Sequence, residues 1–162
     1  MPDDAQMIIS QLSGLQRLVA EEPDDEAVFS ATAVAADQCI GHKLCTFMLF
    51  DRAAMEVQRL FSTNHEAYPP GGRKKKRNTA WGRQVLENGQ PFIGRSTEDI
   101  RAHFDDYELI IGLGLRSMLN MPVRIGGETV GTMNLSNVEG FYSEDHLPIA
   151  GLLTGMIAAK FR

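Results

Sequence analysis

The chain has 162 residues, of which 43% are hydrophobic and 23% charged, the balance of one globular domain rather than of a disordered or fibrous protein. No apolar run approaches the ~20 residues of a membrane-spanning helix, and the acidic N-terminus lacks the basic charge of a secretory signal. The formal net charge of −5 argues against a general nucleic-acid binder, so we expect one cytoplasmic domain over residues 1–162 with neither nucleic-acid nor membrane partners.

The first part of the chain predicts two helices. Residues 1–22 form a leading segment, in which apolar side chains recur at spacings of three and four and predict a helix over residues 4–20. Pro23 ends this helix, and the acidic residues 24–26 favour the start of a second one. The second helix reaches about Ile40 and is rich in alanine, so that it can lie close to a sheet.

A pair of strands and a long loop follow. Residues 46–50 form an apolar strand, and a turn connects it to a partner strand over residues 56–62. Strict alternation in the partner strand places Val57, Arg59 and Phe61 on one face. Residues 63–78 are predicted as a long basic loop, because they contain five consecutive cations and no regular apolar pattern.

Shorter elements come next. Thr79 caps a short helix that ends at Gly89, residues 91–93 form a short strand, and Ser96 caps another helix. Each of these signals is local and rests on a capping residue or a glycine.

The clearest hairpin joins residues 116–125 to residues 128–136. Its connection, Gly126-Gly127, suits a tight turn with positive φ. A last helix is predicted over residues 143–162. The mixed order of helices and strands indicates an α+β fold with an antiparallel sheet.

The two hairpin strands have differently composed faces. Thr132 and Asn134 share one face of the second strand, and Asn120 lies on the corresponding face of the first. Buried amides and hydroxyls cost ~1–3 kcal/mol each when unpaired, so these side chains need partners. A polar ligand satisfies that need, and so do backbone groups, loops or water.

Several motifs, taken in order, resemble the GAF family of small-molecule sensor domains. The resemblance extends from about Asp24 to Arg162. The residues that carry it are Trp81-Gly82-x-x-Val85-Leu86-x-x-Gly89-x-Pro91-Phe92-Ile93, Ser117-x-x-Asn120-x-Pro122-Val123, Gly127-Glu128-Thr129-Val130-Gly131-Thr132-x-Asn134-Leu135 and Phe141-Tyr142-Ser143-Glu144-Asp145.

The resemblance implies a GAF-like central antiparallel β-sheet. A helical bundle of the N- and C-terminal helices covers one face, and loops and short helices enclose a ligand pocket on the other. Trp81, the only tryptophan, either stacks on a ligand there or plugs the core beneath the long loop. The candidate pocket residues are Trp81, Asn120, Thr132, Asn134, Phe92, Tyr68 and Arg73.

The basic run at residues 73–77 has two interpretations. Like charges packed so densely repel one another and stay solvated, which favours a mobile loop. Alternatively, the run is a lid over the pocket that favours an anionic ligand or an acidic partner.

Several known ligands of GAF domains are disfavoured. The cyclic-nucleotide signature of the family has Lys and Glu where this chain has Val138 and His146. A haem site would rest on a lone His65 or His103, and a single histidine without further ligand spacing is more often a surface residue. We therefore expect neither a cofactor nor a metal site.

Two cysteines, Cys39 and Cys45, leave a catalytic alternative open. Some small GAF proteins similar in size reduce free methionine sulfoxide through a set of cysteines, a chemistry that needs an attacking and a resolving thiol near the pocket. The other interpretation of this pair is two small buried hydrophobes in a reducing cytoplasm.

The last helix carries more apolar side chains than one sheet needs. We expect the surplus to be covered by a second copy of the chain, or else by a separate effector protein. We also expect no output domain after Arg162, so that any signal passes to another protein. The predicted function is thus a sensory or regulatory domain that binds a small polar or anionic molecule. The predicted dimer contacts are Leu12, Leu15, Leu152, Met156 and Ile157.

Overall fold

The computed structural model describes residues 4–162, so the first three residues of the leading segment predicted over 1–22 lie outside the described residues. The N-terminal helices are α1 (Asp4–Glu21) and α2 (Asp25–Cys39). The side chain of Asp24 accepts a hydrogen bond from the backbone N–H of Glu26 and begins α2. Both helices therefore lie where periodicity and capping predicted them.

Six strands form one antiparallel sheet in the order β3-β2-β1-β6-β5-β4. The hairpin β5–β6 turns at Gly126 and Gly127, whose φ values are 58° and 83°, as the glycine pair predicted. The strand bounds are β1 Leu44–Asp51, β2 Glu56–Ser62, β3 Arg73–Lys75, β4 Phe92–Gly94, β5 Ser117–Ile125 and β6 Glu128–Asn137.

The remaining elements are short helices. A π-helix over Gly82–Glu87 replaces the predicted regular helix after Thr79. The last helix, α5 (Leu147–Ile157), is shorter than predicted. A 3-10 segment lies on each side of it. Ser143 caps the first segment, and the second begins directly after Ile157. The others are α3 (Thr97–His103), capped by Ser96, α4 (Tyr107–Gly112), and the 3-10 segments Glu144–His146 and Ala158–Lys160.

The predicted loop over residues 63–78 is wrong in one part, because β3 lies within it. Arg73–Lys75 pairs antiparallel with β2, whose outer edge would otherwise leave its backbone groups unpaired. Alternation along β3 turns Lys74 inward, whereas Arg73 and Lys75 are exposed. Arg73 forms an ion pair with Glu56 at 3.3 Å. The basic run is thus partly ordered rather than a uniformly solvated loop.

A β-bulge corrects the predicted faces of β2. Phe47 of β1 lies opposite Phe61, but the next residue, Met48, lies opposite Arg59, so Leu60 is the extra residue. The bulge places Phe61 on the side of the helical bundle and leaves Arg59 on the other side of the sheet.

Two cores lie on opposite faces of the sheet. The bundle-side core packs α1, α2 and α5 against the sheet, and aromatic rings fill its centre. The ring centroids of Phe29 and Phe47 lie 5.1 Å apart, and each lies between 5.6 and 6.3 Å from those of Phe61 and Phe161. The second core lies between the sheet and the short helices and contains Phe50, Val57, Val85, Leu86, Ile100 and Ile110.

Gly131 in β6 is a point of close contact between the sheet and the C-terminal segment that packs on it. A Cβ at this position would lie 2.3 Å from the carbonyl oxygen of Met48 and 2.3 Å from Cδ1 of Phe161. Backbone atoms cannot move away cheaply, so only glycine fits here.

We predict that Gly131→Ala lowers the free energy of unfolding by roughly 1–3 kcal/mol, because the added methyl group overpacks the core. Urea unfolding monitored by circular dichroism measures the change. The control is Gly155→Ala in α5, where nothing lies within 4 Å of the added Cβ and an alanine should be neutral or stabilising. Equal stability of the two variants would contradict the prediction.

Candidate functional site

A cavity lies on the face of the sheet opposite the bundle. Its accessible volume is about 80 Å³, enough for a small ligand or several waters. β3, the short helices and the segments next to them cover it. Its lining consists of Leu44, Thr46, Met48, Arg59, Tyr68, Lys74, Lys76, Trp81, Phe104, Asp106, Ile110, Leu115, Met118, Asn120, Asn134 and Ser136.

Strand alternation decides which residues reach the cavity. In β1, Thr46 and Met48 line the cavity, whereas Cys45 and Phe47 belong to the bundle-side core. Asn120 and Asn134 lie directly opposite each other in β5 and β6 and both line the cavity. One sheet thus separates a mixed polar cavity from an apolar bundle.

The polar residues on the sheet form a chain of hydrogen bonds. The indole N–H of Trp81 donates to Oδ1 of Asn120 at 2.9 Å, and Nδ2 of Asn120 donates to Oδ1 of Asn134 at 2.9 Å. Nδ2 of Asn134 then donates to Oγ1 of Thr46 at 3.2 Å. Each amide therefore has a partner within the chain, and the hydrogen bonds fix its orientation.

One acidic residue, Asp106, organises the open side of the cavity. It accepts a hydrogen bond from the hydroxyl of Tyr68 at 3.1 Å and pairs with the ammonium of Lys74 at 3.3 Å. Burial, reinforced by the negative charge of Asp106, raises the pKa of Tyr68, so this phenol stays protonated as a donor. Asp106 is thus the counterion of Lys74.

Arg59 enters the cavity from β2. Its guanidinium lies 5.0 Å from the ring centroid of Tyr68, and Nη1 donates to the carbonyl oxygen of Pro69 at 3.0 Å. Its Nε is buried and has no hydrogen-bond partner within residues 4–162. Burial lowers the pKa of Arg59, although an arginine remains charged at any physiological pH.

Lys76 is the most deeply placed cation of the site, with an exposure of 8%. Its Nζ lies 4.8 Å from the ring centroid of Trp81 and 5.6 Å from that of Phe104. No carboxylate in the described part of the chain pairs with it. Burial, and then the nearby charge of Lys74, lowers the pKa of Lys76 to about 8.

The backbone holds Lys76 in this position. Its N–H donates to the carbonyl oxygen of Met55 at 2.8 Å, and its carbonyl accepts from the hydroxyl of Thr79 at 3.0 Å. Gly82 packs against the same carbonyl, since a Cβ there would lie 2.4 Å from the oxygen of Lys76. The first residues of the π-helix and the basic run are therefore one packed unit.

The predicted pocket residues divide into two groups. Tyr68, Trp81, Asn120 and Asn134 meet in the cavity, whereas Thr132, Phe92 and Arg73 are not among its lining residues. The three exceptions have different surroundings.

Each exception has a structural reason. Thr132 is fully buried within the sheet, and its hydroxyl has no partner in the part of the chain described. The ring of Phe92 packs on those of His103 and Phe104, at 4.8 and 6.1 Å between centroids. Arg73 points to the surface and pairs with Glu56.

One of the two interpretations of the basic run over residues 73–77 was a lid over the pocket, but sequence reasoning did not single out Lys74 or Lys76 within that run. It did not name Arg59 or Asp106 as site residues. The signal for the two lysines was their spacing, because residues two apart in an extended segment share a face. Arg59 and Asp106 gave no such signal, since a bulge and a connection between two short helices place them.

The cysteines and histidines lie away from the cavity lining. Cys45 is fully buried on the opposite face of β1, and burial raises its pKa strongly. Burial also raises the pKa of Cys39, which is partly exposed in α2. Within residues 4–162, no group of three or more His, Cys, Asp or Glu residues could hold a metal ion.

The terminal helices present a partly apolar outer surface. Leu152 is 54% exposed, and Leu12 and Met156 line a shallow groove beside exposed Ile9. Two of the predicted dimer contacts, Leu15 and Ile157, are instead buried inside the chain itself. Their side chains fill the bundle-side core and leave no surface for a partner. No helix within residues 4–162 has the length and apolar character needed to cross a membrane.

A comparison with curated protein sequences gives no match. Solved structures do match. The chain is similar to the GAF domain of a phosphoenolpyruvate-protein phosphotransferase from Coxiella burnetii, with 18% identity, coverage of 98% of this chain and 94% of that chain, and a TM-score of 0.80.

Two further structures share the fold. One is free methionine-R-sulfoxide reductase from Neisseria meningitidis in complex with its substrate, with 16% identity, coverage of 99% and 91%, and a TM-score of 0.69. The other is the GAF domain of a two-component sensor histidine kinase from Bacillus halodurans, with 17% identity, coverage of 82% and 90%, and a TM-score of 0.67. At such identities the likeness is one of fold.

The sequence itself matches the family described as GAF domain over residues 18–160. This match includes every strand of the sheet and every residue that lines the cavity. The chain belongs to the GAF domain family.

Proposed function

We propose that this GAF domain is a sensory or regulatory module that binds a small anion in the cavity and transmits the occupied state through its terminal helices. The observation that carries the proposal is Lys76, a buried ammonium that lines the cavity and has no carboxylate counterion within residues 4–162. The fold supports a sensory role in general, because the GAF domain of a two-component sensor histidine kinase shares it.

The charge balance of the cavity favours an anion. Lys74 and Asp106 neutralise each other, whereas Arg59 and Lys76 have no carboxylate partner among the described residues. A buried charge that lacks a partner is costly, and an anionic ligand would offset that cost. The cation–π contacts of Lys76 with Trp81 and Phe104 compensate only in part.

The distribution of polar and apolar side chains in the cavity would also orient a bound ligand. Aromatic and aliphatic side chains cover most of its wall, while the polar chain from Trp81 to Thr46 crosses its floor. A ligand with one anionic end and one small polar end matches this arrangement. The modest volume favours a small metabolite over a nucleotide.

The sheet offers a short path from the cavity to the helices. Thr46 faces the cavity, and its neighbour Phe47 stacks on Phe29 of α2 at 5.1 Å between ring centroids. We infer that ligand binding shifts the population of bundle arrangements through such adjacent residues. A separate effector protein would then recognise the changed helices.

We also infer a homodimer through α1 and α5. Ile9 and Leu152 are 63% and 54% exposed, and they lie near the groove that contains Leu12 and Met156. Large exposed apolar side chains in one region are typical of an interaction surface. Leu12, Leu152 and Met156 are the predicted contacts that remain available.

The redox alternative has little support in the site. A sulfoxide reductase needs a reactive thiolate beside its substrate. Cys45 faces the bundle, and neither cysteine lines the cavity. Burial raises the pKa of both thiols, which opposes thiolate formation.

We expect Lys76→Met to weaken the binding of a small anion by at least roughly ten-fold, because hydrogen bonds to charged groups contribute about 1.5–3 kcal/mol. Carboxylates such as acetate, glycolate and oxalate, with inorganic phosphate, form the test panel. Trp81 is the only tryptophan and lines the cavity, so its fluorescence reports occupancy.

The matched control is Lys75→Met, which removes the same charge from an exposed neighbour. It should change affinity little, because solvent screens a surface charge. A panel in which no anion binds, or equal losses in the two variants, would falsify the anion proposal.

Anion affinity should fall as pH rises through the pKa of Lys76, about 8, because the free protein loses the ammonium. Between pH 7 and pH 9 we expect a loss of about ten-fold. Fluorescence titration at several pH values measures this loss of affinity, with Lys76→Arg as a control whose charge persists.

The same pKa shift affects stability. Because the pKa of Lys76 is lower in the folded protein, about 8, than in the unfolded chain, 10.5, the buried ammonium destabilises the fold below pH 8. This destabilisation should decrease as the pH rises from about 8 to 10.5.

Sedimentation equilibrium at tens of micromolar protein should show a dimer that Leu152→Asp converts to a monomer, because the charge would be buried in the interface. Leu109→Asp in α4 is the control, since Leu109 is 44% exposed and lies outside the terminal helices. A monomeric wild-type protein at this concentration would remove the dimer proposal.

A further inference from the structure

Three consecutive lysines have three different surroundings. Lys74 is paired with Asp106, Lys75 is exposed, and Lys76 lies in the cavity over the rings of Trp81 and Phe104. Lys74 and Lys76 both line the cavity, and Lys76 is the buried one of the three lysines, with an exposure of 8%. It has a nucleophilic atom, an enclosed space and no ionic partner among the described residues.

We propose that Lys76 captures a small 2-oxo acid as a reversible imine inside the cavity. The inference rests on the proposed function, because it assigns a ligand class and a covalent chemistry to the same anion site. Lysine amines placed in apolar pockets or beside a second cation are suited to this reaction.

Arg59 supplies the second half of the recognition. A 2-oxo acid has a carbonyl carbon next to a carboxylate. Its site therefore needs an amine to react with the carbonyl carbon and a cation to pair with the carboxylate. The guanidinium of Arg59 donates to Pro69 and retains a buried Nε–H without a partner in the described chain. A carboxylate is the acceptor that such a guanidinium prefers.

The reaction balances without a redox partner. The lone pair of the Lys76 amine attacks the carbonyl carbon, a C–N bond forms, and the oxygen takes up a proton. The nitrogen loses one of its two protons, a second proton converts the hydroxyl group into a leaving water, and the nitrogen lone pair expels that water to form an iminium ion. Loss of the remaining N–H proton from the iminium replaces the second proton and leaves the neutral C=N bond. The products are the imine and one water, and hydrolysis reverses the sequence.

Attack requires the unprotonated amine, and the surroundings of Lys76 favour it. Burial and the cation Lys74 lower its pKa from 10.5 to about 8, whereas Asp106 and Asp105 act in the opposite direction. Arg59 is the other charged group that faces the cavity. At pH 7 the unprotonated fraction is thereby roughly 300-fold larger than for an ordinary lysine.

Reductive trapping tests the proposal on the intact chain. Glyoxylate, the smallest 2-oxo acid, is incubated with the protein at pH 7 and sodium cyanoborohydride, and carboxymethyl-lysine is mapped by peptide mass spectrometry. We expect Lys76 to be modified at least roughly ten-fold more than Lys75, which serves as a control within the same molecule, since part of the 300-fold gain is lost to lower nucleophilicity. In urea the two lysines should react equally.

Equal modification of Lys75 and Lys76 in the folded protein, or modification of Lys75 alone, overturns the imine. Glycolate, which has the carboxylate but no carbonyl group, separates this result from the fate of the anion site. If glycolate binds but glyoxylate is not trapped preferentially at Lys76, the anion proposal stands and the imine proposal is wrong. If glyoxylate is trapped preferentially at Lys76 but the protein binds neither glycolate nor phosphate, the imine proposal is supported and the general anion sensor is wrong.

Discussion

The ammonium of Lys76 over the indole ring of Trp81 is the contact around which the cavity is built. An uncompensated charge at 8% exposure persists only when the backbone holds it in place, and three neighbours do so. Met55 and Thr79 bond to the peptide groups of Lys76, and Gly82 leaves room for its carbonyl.

The sheet determines which side chains surround this contact, because alternate residues of each strand face different cores. Along β1, Thr46 ends the hydrogen-bonded chain from Trp81, while Cys45 and Phe47 pack against the bundle. The bulge at Leu60 adds a second distinction, since it lets β2 give Phe61 to the bundle and Arg59 to the cavity. The same register also keeps the buried thiol of Cys45 away from the cavity.

Local signals predicted most of the fold, and distant contacts explain what they missed. The hairpin β5–β6 and the caps at Asp24 and Ser96 were predictable, because glycine pairs and capping side chains act within a few residues. Strand β3 was not, since five cations in a row contain no apolar alternation. The free edge of β2 and the distant carboxylate of Asp106 order that segment, and neither appears in its own sequence.

Strand β6 connects the two sides of the domain over a few residues. Asn134 belongs to the polar chain of the cavity, and Gly131 lies against Phe161 at the end of the chain's last helical segment. The residues on either side of Phe161, Lys160 and Arg162, form ion pairs with Asp25 at 3.4 and 3.5 Å. These ion pairs connect the C-terminal segment to the start of α2. A ligand that pulled on Asn134 would therefore act on two helices at once. Because four packed phenylalanine rings resist compression, the response should be a small rigid shift of the helices rather than a repacking of the core.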